Sequence, residues 1–319
     1  MRVRAMALWG ALIWFAATPA SAQYPDKPVR FVVPFPAGGG NEITARALAE
    51  GMTKDLGQQV VIDIRPGAGT VIGTEHALKS APDGYTILMA SFAHSVNPSL
   101  MAKLPYDPAR VAHVAMIGRY ANSVVIPLDR PYKTMAELIA HAKANPGKLN
   151  YGSFGNGTSP HMFAELLKTM QKLDITHVPY KGASPAMIDL LGGRLDVVFS
   201  TSASAASHVR SGKLRLIAVT SEKRSSFYPD VQTVAEAGVP GYDAVAWYGV
   251  LAPFGTPAEI VKRLSDSVRV AANSELFQRR AKEDGIELDI GGPEALAPFM
   301  RTEEERWRKV VREAGIKPD

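Results

Sequence analysis

Cysteine is absent from all 319 residues, so the chain can use neither disulfide staples, nor thiol chemistry, nor a lipid-anchored cysteine. A long apolar run is missing too. The longest, Ala5 to Ala17, covers thirteen residues against the roughly 20 that a bilayer span requires. Charge of one sign is scarce: 36 Lys and Arg against 31 Asp and Glu leave +5, spread along the chain, which argues against nucleic-acid binding and suits a slightly basic surface compatible with an anionic ligand. The seven histidines show none of the close pairings of a helical zinc site, so no metal or other cofactor is expected. No Walker pattern occurs.

Arg2 and Arg4, the apolar run and the triplet Ala20-Ser21-Ala22 read as an export signal over residues 1–22. The rest suits two lobes better than one core. With no composition break to mark a linker, length places a first lobe at 23–124 plus 246–319 and a second at 125–245.

β-rich runs alternate with helical patterns throughout, predicting an α/β architecture in which each lobe is a mostly parallel sheet flanked by helices. Strands are expected at Val29–Phe35, Gln59–Ile64, Tyr85–Ala90, Val111–Ile117, Ser123–Ile126, Leu149–Tyr151, Ile175–Val178, Leu195–Phe199, Leu214–Thr220 and Ala244–Leu251. Thr134 with Glu137, and Thr256 with Glu259, predict capping boxes; Ser159-Pro160 and Ser184-Pro185 predict helix starts, and Gly57 and Gly192 predict helix ends. Pro293 to Ala314 reads as one amphipathic helix packed through Trp307.

Two loops carry the chemistry. In Phe35-Pro36-Ala37-Gly38-Gly39-Gly40-Asn41-Glu42 three glycines let backbone approach a ligand, and Asn41 is expected to cap a helix whose first amides remain free for an anion. In Ser153-Phe154-Gly155-Asn156-Gly157-Thr158-Ser159-Pro160 the hydroxyls of Ser153, Thr158 and Ser159 join the amides around Gly157. One such loop per lobe predicts a ligand held between lobes. Tight turns and helix capping remain the alternative for both.

Other residues are less decided. Arg65-Pro66-Gly67-Ala68-Gly69-Thr70-Val71-Ile72-Gly73 lacks dinucleotide spacing and reads as a structural turn. His94 and Asn97, with Ser91 at the preceding strand end, either reach the cleft or serve as a loop histidine and a helix cap. Tyr180 and Lys181 either meet ligand charge or lie at the surface. Phe35 and Trp247 either wall the pocket or pack the core. Gly182-Ala183-Ser184-Pro185-Ala186 lacks the last glycine of a nucleophile elbow, leaving an exported hydrolase without specific support.

Several separated passages, in order, resemble the extracytoplasmic receptors of tripartite tricarboxylate transporters, the Bug family. They are Pro34 to Gly40, Arg65 to Gly69 with Gly73-Thr74, Pro82-Asp83-Gly84-Tyr85-Thr86, Asn97-Pro98, Tyr151-Gly152-Ser153, His177 to Gly182, Asp189 to Gly193, Gly212 to Arg215 and Ala252 to Pro257. The resemblance implies a two-lobed type-2 periplasmic binding protein fold that closes by hinge motion on a small organic carboxylate. It implies a carboxylate clamp at Phe35–Asn41 and Ser153–Ser159, no enzymatic step, and a monomer in the periplasm. The expected partners are membrane transporter subunits, or alternatively a sensor ectodomain. Two departures stand out. Asn41-Glu42 follows the triple glycine where relatives often carry a threonine or serine and then an aspartate. Phe199-Ser200-Thr201-Ser202 lacks an aspartate common there, leaving Ser200 beside the site and favouring a ligand without an amino group.

Overall fold

The computed structural model describes residues 24–316, so the export signal expected at 1–22 lies outside the described residues. Ten strands run in chain order: β1 (Val29–Val33), β2 (Val60–Ile64), β3 (Thr86–Ser91), β4 (Val111–Pro127), β5 (Asn150–Ser153), β6 (Thr176–Pro179), β7 (Val197–Thr201), β8 (Leu214–Val219), β9 (Val245–Pro253) and β10 (Ile286–Gly291). The helices that matter for the site are α1 (Gly40–Leu56), α2 (Val71–Leu78), α3 (Ala93–Leu100), α4 (Met135–Ala144), α5 (Ser159–Gln171), α6 (Ala183–Leu191) and α7 (Ser202–Arg210). They are followed by α8 (Ala258–Ala272), α9 (Glu275–Asp284) and α10 (Pro293–Glu313).

The strands form a mixed sheet in two blocks, ordered β2-β1-β3-β9-β4-β7-β5-β6, with β10 and β8 also paired to β4. Each block has a parallel trio, β2-β1-β3 and β7-β5-β6, next to antiparallel strands. The strand β4 belongs to both: Val111–Ala121 pairs with β9, and Asn122–Pro127 with β7 and β8.

That strand corrects the expectation of two strands separated at Gly118–Asn122. The polar passage looks like a break, yet it is where β10 pairs antiparallel with β4. Glycine is required at 118, because a Cβ there would lie 2.5 Å from the Glu287 carbonyl oxygen. Strand β10 is itself absent from the expected strands: its Glu287 and Asp289 alternate with apolar residues at an edge, and Asp289 pairs with Arg119 at 2.8 Å.

Helix ends follow local chemistry in most places. Thr134 and Glu137 form the capping box of α4, and Gly57 ends α1 at φ 69°. Thr256 forms no capping box, because its hydroxyl donates to the Pro253 carbonyl and Pro257 takes the cap position. Gly192 ends α6 as expected, and the left-handed residue is the next one, Gly193. Trp307 of α10 is fully buried, edge-on to Phe92 of the first block at 4.7 Å and stacked on Phe163 of the second at 5.5 Å. The C-terminal helix therefore packs against both blocks.

Candidate functional site

Two adjoining chambers open between the blocks. The inner one, a small cavity of about 40 Å³, is lined by Phe35, Pro36, Gly39, Gly40 and Asn41, by Ser91, Phe92 and Ala93, by Tyr120, and by Phe154, Thr158, Ser159, Pro160, Gly182, Ala183 and Thr201. The outer one is bounded by Pro34–Pro36 and Pro66–Thr70 on one side, and by Phe154, Gly155, Thr158 and Tyr180–Gly182 on the other.

The chemistry of the inner chamber comes from backbone. Five helices border it with a cap or first-turn residue: α1 through Gly39 to Asn41, α3 through Phe92 and Ala93, α5 through Thr158 to Pro160, α6 through Gly182 and Ala183, and α7 through Thr201. A helix N-terminus carries unpaired N–H groups and a partial positive charge of roughly half a unit. None of the sixteen lining residues is charged, so the field inside has no side-chain counter-ion. Two buried polar atoms on the wall, Asn41 Oδ1 and Ser91 Oγ, lack hydrogen-bond partners. Phe35, Phe92, Tyr120 and Phe154 supply apolar surface around these polar groups.

Of the residues singled out in sequence, Phe35, Gly39, Gly40, Asn41, Ser91, Thr158 and Ser159 line the inner chamber. Tyr180 and Lys181 line the outer one, where Lys181 is the charged lining residue. Ala37 and Gly38 are exposed and line neither, and the Gly38 amide donates to Glu42 of its own helix at 3.3 Å. Glu42, also paired with Arg46, thus occupies a donor expected for the ligand. Because α1 starts two residues earlier than expected, Gly39 is the cap and Asn41 is left with its side-chain oxygen free.

Several other candidates support the walls instead of forming them. Ser153 Oγ accepts from the Gly155 amide and lies 2.7 Å from His177 Nε2, while the Gly157 amide donates to His161 Nδ1. His94 is buried between Ser91 and Thr74, which holds its imidazole down to about 4 through loss of solvent. Asn97 is buried and donates through Nδ2 to the Gly69 carbonyl and to Thr70 Oγ1. Ser200 is buried with its hydroxyl turned to the Thr201 carbonyl, so its neighbour Thr201 meets the chamber. Trp247 is a core residue, fully buried, with its indole N–H on Ser95 Oγ and its ring edge-on to Phe299.

Sequence reasoning missed Tyr120, Phe92, Ala93, Ala183 and Thr201. Tyr120 lies in the passage read as a break, stacks on Tyr248 at 4.5 Å, and has its hydroxyl pushed up to about 12 by burial. The start of α6 at Ala183 was legible as a helix N-terminus, though not as one bordering the chamber.

Among the described residues no cluster of side chains suits a metal ion, and no helix is long and apolar enough to cross a membrane. Fold and chamber together define a periplasmic-type solute-binding receptor. The family described as "Tripartite tricarboxylate transporter family receptor" matches residues 44–316, and the chain belongs to it. It is 37% identical over 320 residues to BugT of Bordetella pertussis, covering 98% of each chain. An R. palustris structure with adipate superposes with a TM-score of 0.88 at 35% identity, covering 93% of this chain and all of that one. MatC from Rhodopseudomonas palustris with bound malate gives 0.85 at 30% identity, over 90% of this chain and all of that one. The family consists of solute-binding receptors, not enzymes.

Proposed function

We propose that the protein captures a small organic acid, bearing carboxylate but no amino group, between its two sheet blocks and delivers it to the membrane subunits of a tripartite tricarboxylate-type transporter. The blocks act as lobes divided near Val124 and Val245, in a monomer exported by the signal at 1–22. The observation that carries the ligand class is the convergence of five helix N-termini on a chamber without an acidic or basic side chain. A carboxylate there meets amides and positive dipole ends. An ammonium group would meet the same field with no carboxylate to pair it, and an unpaired buried charge is strongly disfavoured. The relatives solved with adipate and malate are consistent with such a ligand.

Calorimetric titration with matched pairs tests this: malate against aspartate, and adipate against 2-aminoadipate. The acids are expected to bind at least about tenfold more tightly, equivalent to about 1.4 kcal/mol. Equal affinity within the pairs would reject the exclusion of amines. Silence of all four, together with an aromatic carboxylate panel, would reject the carboxylate reading itself.

A further inference from the structure

The loop Gly67–Thr70, which reads in sequence as a structural turn, has an unusual backbone. Four consecutive residues have positive φ: Gly67 at 134°, Ala68 at 45°, Gly69 at 58° and Thr70 at 86°. For a β-branched residue such as Thr70 this conformation is an outlier, and it persists only where the surroundings impose it. The surroundings here are Asn97, whose Nδ2 donates to the Gly69 carbonyl at 3.0 Å and to Thr70 Oγ1 at 3.1 Å.

The shape so enforced carries the loop across the cleft. A Cβ at Gly69 would lie 2.8 Å from the backbone oxygen of Asn156 in the second block. In return, a Cβ at Gly157 would lie 3.0 Å from Asn97 Oδ1. Gly69 of the loop is therefore seated against Asn156, and Asn97 of α3, which holds the loop, against Gly157, beside the outer chamber that Gly67–Thr70 and Gly155 line from opposite sides.

We infer that the Gly67–Thr70 loop is the latch of the cleft, with Gly69 as the positioning residue that lets the blocks approach and Asn97 as its brace. The inference rests on the reading of the protein as a receptor that closes on its ligand. A side chain at 69 would hold the loops apart. The donors of Gly39–Asn41 would then stand away from those of Thr158–Pro160, although neither set had been altered.

The lack of cysteine provides a clean test. In the full chain with Gly69 left in place, Ala68→Cys with Lys181→Cys, on facing walls of the outer chamber, should be bridged nearly completely by a short bis-maleimide, read by mass spectrometry. Gly57→Cys with Lys181→Cys should not, since Gly57 ends α1 with nothing within 4 Å. In a second arm, Gly69→Ala should raise the dissociation rate and weaken binding of malate or adipate by about tenfold or more. The free protein's melting temperature should change no more than in Gly57→Ala, where a similar φ of 69° meets open space.

Crosslinking no better than the control, or parental affinity in Gly69→Ala, would overturn the latch. Crosslinking in a protein that binds neither acid would retain the latch and count against the proposed ligand class. Binding without crosslinking would do the reverse.

Discussion

Ser153 Oγ lies 2.7 Å from His177 Nε2, and that imidazole is stacked between Tyr151 at 4.7 Å and His161 at 4.3 Å. His161 in turn accepts the Gly157 amide. A column of rings thus sits behind the second binding loop and fixes its two ends. The hydroxyl of Ser153, which sequence alone offers as a ligand donor, is consumed in that fixation.

Ser153→Ala should accordingly behave as a loss of support. Removing one partner of a buried hydrogen bond costs about 1–3 kcal/mol. Chemical denaturation should show a loss in that range in the absence of any ligand. A variant as stable as the parent, with weakened binding, would place Ser153 back among the ligand contacts.

Ser91 and Thr158 separate the two roles on the chamber wall. Ser91 Oγ is buried without a partner, whereas Thr158 Oγ1 donates to the Gly155 carbonyl at 2.7 Å. Ser91→Ala should leave stability unchanged and weaken carboxylate binding by about three- to tenfold, the worth of roughly one neutral hydrogen bond. Thr158→Val should weaken binding while lowering stability by about 1 kcal/mol, without unfolding the protein. Calorimetric titration beside denaturation of each variant checks both. Unchanged affinity would remove the corresponding residue from the site.

How much of this was readable beforehand depends on the range of the interactions involved. The glycine and hydroxyl loops announce themselves because a strand, a turn and a helix start are local in sequence. The capping box of α4 is visible for the same reason. The contribution of Tyr120 is not local: it depends on β4 running unbroken through both blocks, with β10 from far along the chain paired beside Gly118 and Tyr120. The fates of Ser200 and Trp247 turn on which face of a strand meets the core, and two adjacent residues, Ser200 and Thr201, fall on opposite sides of that choice. Glu42 was visible as a departure in sequence, but its reach back to the Gly38 amide required the helix to begin at Gly40.

Trp247 gives a direct check on that distinction. Its ring is fully buried beside Phe299, away from both chambers. Trp247→Ala should destabilise the fold by about 3–5 kcal/mol, as large aromatic deletions in cores do. Trp247→Phe should lose less and retain the affinity of the parent for any carboxylate that binds. Selective loss of affinity in the phenylalanine variant, at parental stability, would return the residue to the pocket wall.

His94 makes stability depend on pH in a predictable direction. Burial holds its imidazole down to about 4, whereas an unfolded histidine titrates near 6.5. Between those values the unfolded chain binds the extra proton, so the contribution of His94 is complete above about pH 6.5, declines as pH falls, and is exhausted near pH 4. The slope attributable to this one group is at most about 1.4 kcal/mol per pH unit. His177, held down to about 3 by burial and then by His161 and Lys168, acts in the same direction. The buried carboxyls of Asp284 and Glu303 are pushed up by burial and act in the opposite direction, favouring the folded state on acidification. A variant therefore isolates the histidine better than the parent protein alone. His94→Gln should be less stable than the parent at pH 7.5, with the gap narrowing steadily towards pH 4.5 in urea denaturation. A constant gap would mean that His94 contributes packing and hydrogen bonds but is not held neutral by burial.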